Sequence, residues 1–163
     1  LISPSTYPDA VQEKAEKIAI NIATALNITG ILAVEMFVTK GGQILVNEVA
    51  PRPHNSGHQT IEGNYVSQFE QHLRAIFNLP LGDTRSLSNA VMINVLGEKG
   101  HEGIAKYDGL EKILAIDGVY VHLYGKKYTK PFRKMGHVTI VDQNRAQAIA
   151  KAKLIQKTLR VIS

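Results

Sequence analysis

The chain has 163 residues, a formal net charge of +5 and an apolar fraction of 44%. This composition supports a packed core and excludes a disordered segment. The absence of cysteine excludes disulfides, thiolate catalysis and cysteine metal sites, and it is compatible with a reducing cytoplasm. No apolar run is long enough to span a membrane. Aromatic residues make up 6% of the chain and tryptophan is absent, so we expect anionic small molecules rather than nucleic acid or a membrane as partners. The opening LISPSTYPDA lacks an initiator Met, and we expect the chain to be part of a longer protein.

Helical spacing predicts the first helix, which begins at Pro8 and Asp9. Its recurring apolar positions are Val11, Ala15, Ile18, Ile22 and Ala25. The apolar runs 31–38 and 43–50 predict two strands, and the glycine pair at 41–42 predicts a hairpin between them.

A second helix is predicted after Ser67 and Glu70, which have capping-box spacing. Its predicted buried stripe consists of Phe69, Leu73, Ile76 and Phe77. The sequence LPLGD (79–83) ends this helix, and the polar stretch 83–89 predicts a boundary between domains 1–85 and 86–163.

The second domain is predicted to contain three strands and two helices. Its expected elements are a strand at 90–97, the loop GEKGHEG (97–103), a short helix at 106–115, a strand at 119–124, a basic loop at 125–135, a strand at 137–141 and a helix at 144–161. We interpret GEKGHEG as a mobile connection, because its glycines do not have the spacing of a phosphate-binding loop. The last helix is expected to bury Ile149, Ala152, Ile155 and Leu159.

The hairpin is predicted to bring two carboxylates together. With the turn centred on residues 41–42, Lys40 pairs with Gln43 and Glu35 falls opposite Glu48. Their Cβ atoms would then lie roughly 4.5–5.5 Å apart. Two carboxylates so placed repel each other, so either one is protonated or a cation such as Mg²⁺ is shared between them. The alternative is an ordinary hairpin with two solvent-facing glutamates, although Glu35 has the apolar neighbours Ala33 and Phe37 on its face.

The sequence PRPHNSGH (51–58) holds the remaining candidates of this region. His54 and His58 have the spacing of a zinc pair on a helix, but the prolines and Asn55-Ser56-Gly57 favour turns and argue against zinc. Arg52 is either a structural ion-pair residue or an anion clamp stiffened by its flanking prolines.

The basic loop is the other candidate site. Its cations are Lys126, Lys127, Lys130, Arg133 and Lys134. Such a run is usually solvated. The glycines at 125 and 136 permit close backbone approach and favour a phosphate pocket.

Nearly the whole chain resembles a known family. The stretches that carry the likeness are GILAVEMFV, GGQILVNEVAPRPHNSGHQTIE, SQFEQHLRAIFNLPLGD, HLYGKK and RKMGHVTIV. The first three resemble the third domain of ATP-grasp enzymes, and more narrowly the N5-carboxyaminoimidazole ribonucleotide synthetase family of purine biosynthesis. The last two resemble the C-terminal domain of that family. The resemblance implies an α+β fold, in which the C-terminal lobe of an ATP-grasp fold, an antiparallel sheet with helices, precedes a small β-rich domain.

The resemblance also implies an activity. Enzymes of this family use ATP to convert bicarbonate into carboxyphosphate, which carboxylates the exocyclic amine of aminoimidazole ribonucleotide and leaves ADP and phosphate. By the resemblance Glu35 and Glu48 bind Mg²⁺, Asn47 and Glu48 contact ATP, Arg52 and His54 are catalytic, Asn55 binds substrate, and Lys126 and Arg133 hold the ribose 5′-phosphate. The family's N-terminal domains are absent from this chain, so we expect it to be inactive alone. A cytoplasmic homodimer is the expected form of the whole enzyme.

Three alternatives remain from the sequence. The formate-dependent glycinamide ribonucleotide transformylase, another ATP-grasp ligase, has a similar Asn-Glu followed by Pro-Arg-Pro-His. A non-catalytic module derived from an ATP-grasp enzyme would have little reason to keep Glu35, Glu48 and Arg52 together. A binder of anions or nucleic acid that used the basic loop would make no use of the glutamates.

Overall fold

A computed structural model describes all 163 residues, and they form two compact units. The hairpin unit is Ser5–Arg85, and the sheet unit consists of Leu1–Pro4 together with Ser86–Ser163. In chain order the elements are β1 (Ile2–Ser3), α1 (Asp9–Ala25), β2 (Ala33–Val38), β3 (Ile44–Ala50), a 3-10 turn (Asn55–Gly57), α2 (Thr60–Gly63), α3 (Gln68–Ile76), β4 (Asn89–Leu96), β5 (Gly103–Ile104), β6 (Lys106–Asp108), α4 (Leu110–Leu114), β7 (Val119–Leu123), β8 (Tyr128–Thr129), β9 (Lys134–Asp142), α5 (Arg145–Thr158) and β10 (Arg160–Ile162). None of the five α-helices combines the length and the apolar composition that a membrane span requires.

The predicted helices and strands of the hairpin unit are present, and β2 and β3 form an antiparallel pair. The register near the turn differs from the prediction. The Thr39 N–H donates to the Gln43 carbonyl at 2.9 Å, so the loop has three residues (40–42), and Lys40 does not pair with Gln43. Met36 then pairs with Val46, whereas Glu35 pairs with Glu48. The extra residue between these pairs is Asn47, at a β-bulge.

The predicted opposition of Glu35 and Glu48 is therefore confirmed, but the turn does not produce it. An unbulged strand that continued the register of the turn would place Asn47 opposite Glu35. Because side chains alternate between faces, Glu48 would then project from the other face of the sheet. The bulge restores Glu48 to the face that carries Glu35.

Helix α3 begins as the sequence predicts, because the Ser67 side chain accepts a hydrogen bond from the Glu70 N–H at 3.2 Å. The predicted burial of its apolar stripe is wrong, since the stripe residues are between 39% and 67% exposed. They are Phe69, Leu73, Ile76 and Phe77. Their periodicity correctly predicts a helix, but the stripe stays largely open to solvent.

The sheet unit is built on an antiparallel sheet with strand order β1-β4-β9-β7. The sequence assigned residues 1–4 to the first domain, but Ile2 and Ser3 pair with β4 and these residues belong to the sheet unit. Helix α5 and the sheet enclose a core of fully or nearly fully buried side chains. They include Val91, Val95, Val138, Ile140, Ala148, Ala152 and Ile155.

Two of the predicted helices are shorter than expected. Residues Lys106–Asp108 form β6 rather than the first turn of a helix, and Arg160–Ile162 form β10 rather than the last turn of α5. These strands pair with each other. Their partners lie more than fifty positions apart in sequence, so local periodicity does not reveal the pairing.

The segment 97–103 is not the mobile connection that its glycines suggest. The Gly97 N–H donates to the Arg133 carbonyl at 2.9 Å, and the Gly97 carbonyl accepts from the Phe132 N–H at 2.8 Å. Beyond it, β5 pairs with β8. The segment is therefore a backbone support for the basic loop.

Candidate functional site

Two carboxylates and one imidazole meet at the end of the hairpin. Nδ1 of His54 lies 3.6 Å from Oε1 of Glu35, and its Nε2 lies 3.4 Å from Oε1 of Glu48. The side chains of Glu35 and Glu48 are 41% and 55% exposed, whereas that of His54 is 12% exposed. Phe37, the apolar neighbour of Glu35 on the same face, is also exposed, so it does not shield Glu35 from solvent. The cluster is open to solvent on its carboxylate side.

Local backbone chemistry directs His54 toward this cluster. After β3 the chain bends at Pro51, and His54 adopts an extended conformation with φ of −122°. Its Nδ1 lies 2.9 Å from the Ser56 hydroxyl and accepts a long hydrogen bond from the Ser56 N–H. His54 thus caps the 3-10 turn Asn55–Gly57.

The arrangement gives no support for a zinc pair of His54 and His58. The two histidines flank a 3-10 turn rather than sharing a helix face. His54 turns to the glutamates, while Nδ1 of His58 contacts the Gln68 amide at 2.9 Å. Gln68, which the sequence interpretation missed, also binds both backbone polar groups of His54. No sequence signal marks Gln68, because its burial at the start of α3 is visible only in the structure.

The donor atoms of Glu35, Glu48 and His54 all lie within 4.8 Å of one another. Two carboxylates with open solvent beside them are a suitable donor set for a hard divalent cation, which completes its coordination with water or phosphate oxygens. An imidazole is a softer ligand, better suited to transition metals. The chemistry of the set therefore fits Mg²⁺ through the two glutamates.

The other predicted residues of this unit lie along the same segment. Asn47 is the exposed residue at the bulge, directly before Glu48. Arg52 is exposed, and its guanidinium donates to the Pro53 carbonyl at 3.1 Å and forms no ion pair in the structure. The interpretation of Arg52 as a structural ion-pair residue therefore gains no support. Asn55 is half-buried at the start of the 3-10 turn.

Lys126 and Arg133 lie in the sheet unit, at the two ends of the basic loop. Nζ of Lys126 donates to the Lys134 carbonyl at 2.6 Å, and the Arg133 guanidinium donates to the Tyr128 carbonyl at 2.8 Å. Both cations are therefore held by backbone carbonyls and keep further N–H donors for an anion.

A histidine pair, also missed by the sequence interpretation, lies beside this loop. His122 and His137 are opposite each other on β7 and β9 and stack with ring centroids 4.4 Å apart. The Tyr124 hydroxyl lies 3.0 Å from Nδ1 of His137, and burial raises the pKa of Tyr124. Lys126 lies over the Tyr124 ring, so the network reaches one of the loop's cations.

Two family matches divide the chain. Residues 1–69 match the ATP-grasp domain, and residues 90–151 match the phosphoribosylaminoimidazole carboxylase C-terminal domain. With the opposed carboxylates of the hairpin, these matches define the class: the chain belongs to the ATP-grasp proteins.

Individual relatives narrow the assignment. The chain is 44% identical to the N5-carboxyaminoimidazole ribonucleotide synthase of Bacillus subtilis, over 87% of this chain and 36% of that protein. A crystal structure of N5-carboxyaminoimidazole ribonucleotide synthetase from Thermotoga maritima is 53% identical and superposes with a TM-score of 0.96, covering 99% of this chain and 45% of that one. The Aspergillus clavatus enzyme in complex with ADP and 5-aminoimidazole ribonucleotide is 33% identical, with a TM-score of 0.85 over 96% of this chain and 42% of that one.

Within the ATP-grasp class, the chain belongs to the N5-carboxyaminoimidazole ribonucleotide synthase family, of which it carries the C-terminal part of the ATP-grasp domain and the C-terminal domain. It spans 26–40% of the length of the first curated relatives that it matches.

Proposed function

We propose that the whole protein to which these residues belong carboxylates aminoimidazole ribonucleotide at the expense of ATP. A bicarbonate oxygen attacks the γ-phosphorus of ATP, the bond to the β–γ bridging oxygen breaks, and ADP leaves. The exocyclic amine of the ribonucleotide then attacks the carboxyl carbon of carboxyphosphate, loses a proton and displaces phosphate. The observation that carries the proposal is the opposition of Glu35 and Glu48, with His54 between them.

The glutamate pair would supply the negative charge that holds a divalent cation beside the phosphates of ATP. Glu35 and Glu48 would hold Mg²⁺, and Asn47 beside them would contact the nucleotide. Bound Mg²⁺ would neutralise phosphate charge as the phosphoryl group is transferred. Since phosphoryl transfer depends on positioning and charge more than on covalent catalysis, exposed carboxylates held by paired strands are well suited to the task.

The segment after β3 would orient the reacting groups. Arg52 has a guanidinium that forms no ion pair in the structure, and a planar fork of donors matches bicarbonate or carboxyphosphate. His54 is held on both sides, through Ser56 and Gln68, and lies within 4 Å of both carboxylates. In this proposal Arg52 and His54 contact the reacting groups and Asn55 contacts the ribonucleotide.

Lys126 and Arg133 would bind the ribose 5′-phosphate of the substrate. Their fixed backbone contacts limit the side-chain entropy that is lost when an anion binds. We also propose that the whole protein uses ATP and Mg²⁺ and functions as a homodimer in the cytoplasm. The cysteine-free composition is compatible with that compartment.

The test uses the full-length protein with Mg²⁺–ATP, isotopically labelled bicarbonate and aminoimidazole ribonucleotide. We expect phosphate release that depends on the ribonucleotide and label that enters a carboxylated product. The Glu48→Gln variant serves as the inactive control. Phosphate release that is unaffected by the ribonucleotide, with no labelled product, would contradict the proposal.

A further inference from the structure

We propose that Gln68 is a positioning residue, whose side-chain amide sets the place of His54 in the site. Its Oε1 accepts the His54 N–H at 2.8 Å, and its Nε2 donates to the His54 carbonyl at 2.8 Å. A single side chain thus binds both backbone groups of one residue, as a neighbouring strand would. The kinetic part of this inference rests on the proposed function; the structural part does not.

The amide orientation follows from its partners. The amide oxygen must face the His54 N–H and the amide nitrogen must face the His54 carbonyl. In the reverse orientation, the NH₂ group would face the N–H donor and the amide oxygen would face the carbonyl acceptor, and neither pair could form a hydrogen bond. The second Nε2 hydrogen points to Nδ1 of His58 at 2.9 Å. An amide nitrogen has no lone pair to offer, so Nδ1 of His58 accepts, and His58 carries a ring proton on Nε2.

Burial makes these bonds costly to lose. Gln68 is 8% exposed, and its own N–H donates to Oγ1 of Thr60 at 2.8 Å. The Thr60 hydroxyl in turn donates to the Gly57 carbonyl at 2.6 Å. Without the Gln68 amide, the His54 N–H and carbonyl would have to find water or shift, because buried polar groups left without partners are strongly unfavourable.

Gly57 supports the same inference from the opposite side. A Cβ on Gly57 would lie 2.5 Å from Oε1 of Gln68, closer than van der Waals contact. Glycine at this position is therefore required for the amide to reach His54, although the backbone there has no left-handed conformation. The Gly57→Ala variant should displace the amide without removing it.

Gln71, three residues after Gln68 in α3, provides a matched control. Oε1 of Gln71 accepts the Gly82 N–H at 2.9 Å, and its Nε2 donates to the Gly82 carbonyl at 3.1 Å. Gln71 therefore makes the same pair of bonds as Gln68, to a segment that holds none of the candidate site residues. Shortening each side chain by one methylene, in Gln68→Asn and Gln71→Asn, removes an equivalent clamp from two different segments.

The first experiment measures amide hydrogen exchange in the chain by NMR and requires no activity. In Gln68→Asn the His54 N–H should exchange at least about tenfold faster while the Gly82 N–H is unchanged, and Gln71→Asn should show the reverse. Gly57→Ala should also accelerate His54 exchange. Unchanged His54 exchange in both Gln68→Asn and Gly57→Ala would overturn the proposal.

The second experiment measures kinetics in the full-length protein. Because a misplacement of about 1 Å can cost about a hundredfold in rate, Gln68→Asn should lower kcat/KM for aminoimidazole ribonucleotide by about that factor. The KM for ATP should stay within about twofold of the wild-type value, and Gln71→Asn should match wild type in both. Equal kinetics for the two variants would refute the positioning role. A wild-type protein inactive with this substrate would instead refute the proposed function and leave the exchange result valid.

Discussion

Replacing Gly97 by alanine is expected to loosen the support of the basic loop. A Cβ at this position would lie closer than 3.0 Å to the Lys130 carbonyl oxygen and to Oγ1 of Thr129. The clash is with backbone on one side, so a rotamer change cannot relieve it. The segment 128–133 must therefore move away from Gly97.

The cost can be worked from the contacts that this movement strains. Gly97 exchanges two backbone hydrogen bonds with this segment, at 2.9 Å to Arg133 and 2.8 Å to Phe132. At about 0.5–1.5 kcal/mol for each bond, the loss is about 1–3 kcal/mol. For a unit of 60–100 residues, about 1 kcal/mol lowers the melting temperature by roughly 4–8 °C. A loss of stability near the middle of this range, about 2 kcal/mol, thus predicts that the melting temperature of the sheet unit falls by roughly 8–16 °C.

Calorimetry of the chain measures this decrease, and amide exchange at Phe132 locates it. The control is Gly41→Ala in the hairpin turn, where the nearest atom to a new Cβ is Oγ1 of Thr39 at 3.9 Å. That variant should melt close to wild type. If Gly97→Ala melts within about 2 °C of wild type and Phe132 keeps its protection, the steric reasoning is wrong.

Three further outcomes are expected. Glu48→Gln should abolish ribonucleotide-dependent ATP turnover in the full-length protein with an unchanged circular dichroism spectrum; near-normal turnover at saturating Mg²⁺ would contradict the metal assignment. Arg133→Ala should raise the KM for the ribonucleotide about tenfold to a hundredfold without changing the KM for ATP, since a charge-assisted bond contributes about 1.5–3 kcal/mol. Hydrogen bonds from Lys151 and from the Asn144 N–H hold the pKa of Asp142 below its usual range. The stability advantage of wild type over Asp142→Asn in urea titrations should therefore be fully present at pH 7. It should begin to fall below about pH 4 and be lost only once the pH is below the lowered pKa of Asp142, and a constant difference would refute it.

The sequence predicted local features well and non-local ones poorly. Helix α1, the hairpin and the cap at Ser67 depend on residues close together in the chain, and all are present. The pairing of β6 with β10 depends on partners far apart, which periodicity cannot reveal. The same limit applies to segment 97–103, whose glycines indicate flexibility until its partners near residue 130 are known.

The candidate site was partly predicted for a similar reason. Counting along the strands placed Glu35 opposite Glu48, and this is the observed pairing, although an offset of one residue at the turn was cancelled by the bulge. The approach of His54 to both glutamates could not be predicted, because it depends on the path of the loop. Gln68 was missed because a glutamine at the start of a helix usually faces solvent.

The face on which Glu48 lies depends on the number of residues between Glu35 and Glu48, and the bulge at Asn47 contributes one of them. If the loop 40–42 still closes with three residues, adding or removing one residue there shifts β3 by one position and sends Glu48 to the opposite face, because side chains alternate along a strand. Adding or removing two residues keeps its face. Deleting Asn47 alone would leave Glu48 opposite Glu35 on an unbulged strand and remove only the neighbouring amide. Length variation in this turn should therefore be tolerated in steps of two, and a single-residue change should persist only where the bulge is gained or lost with it.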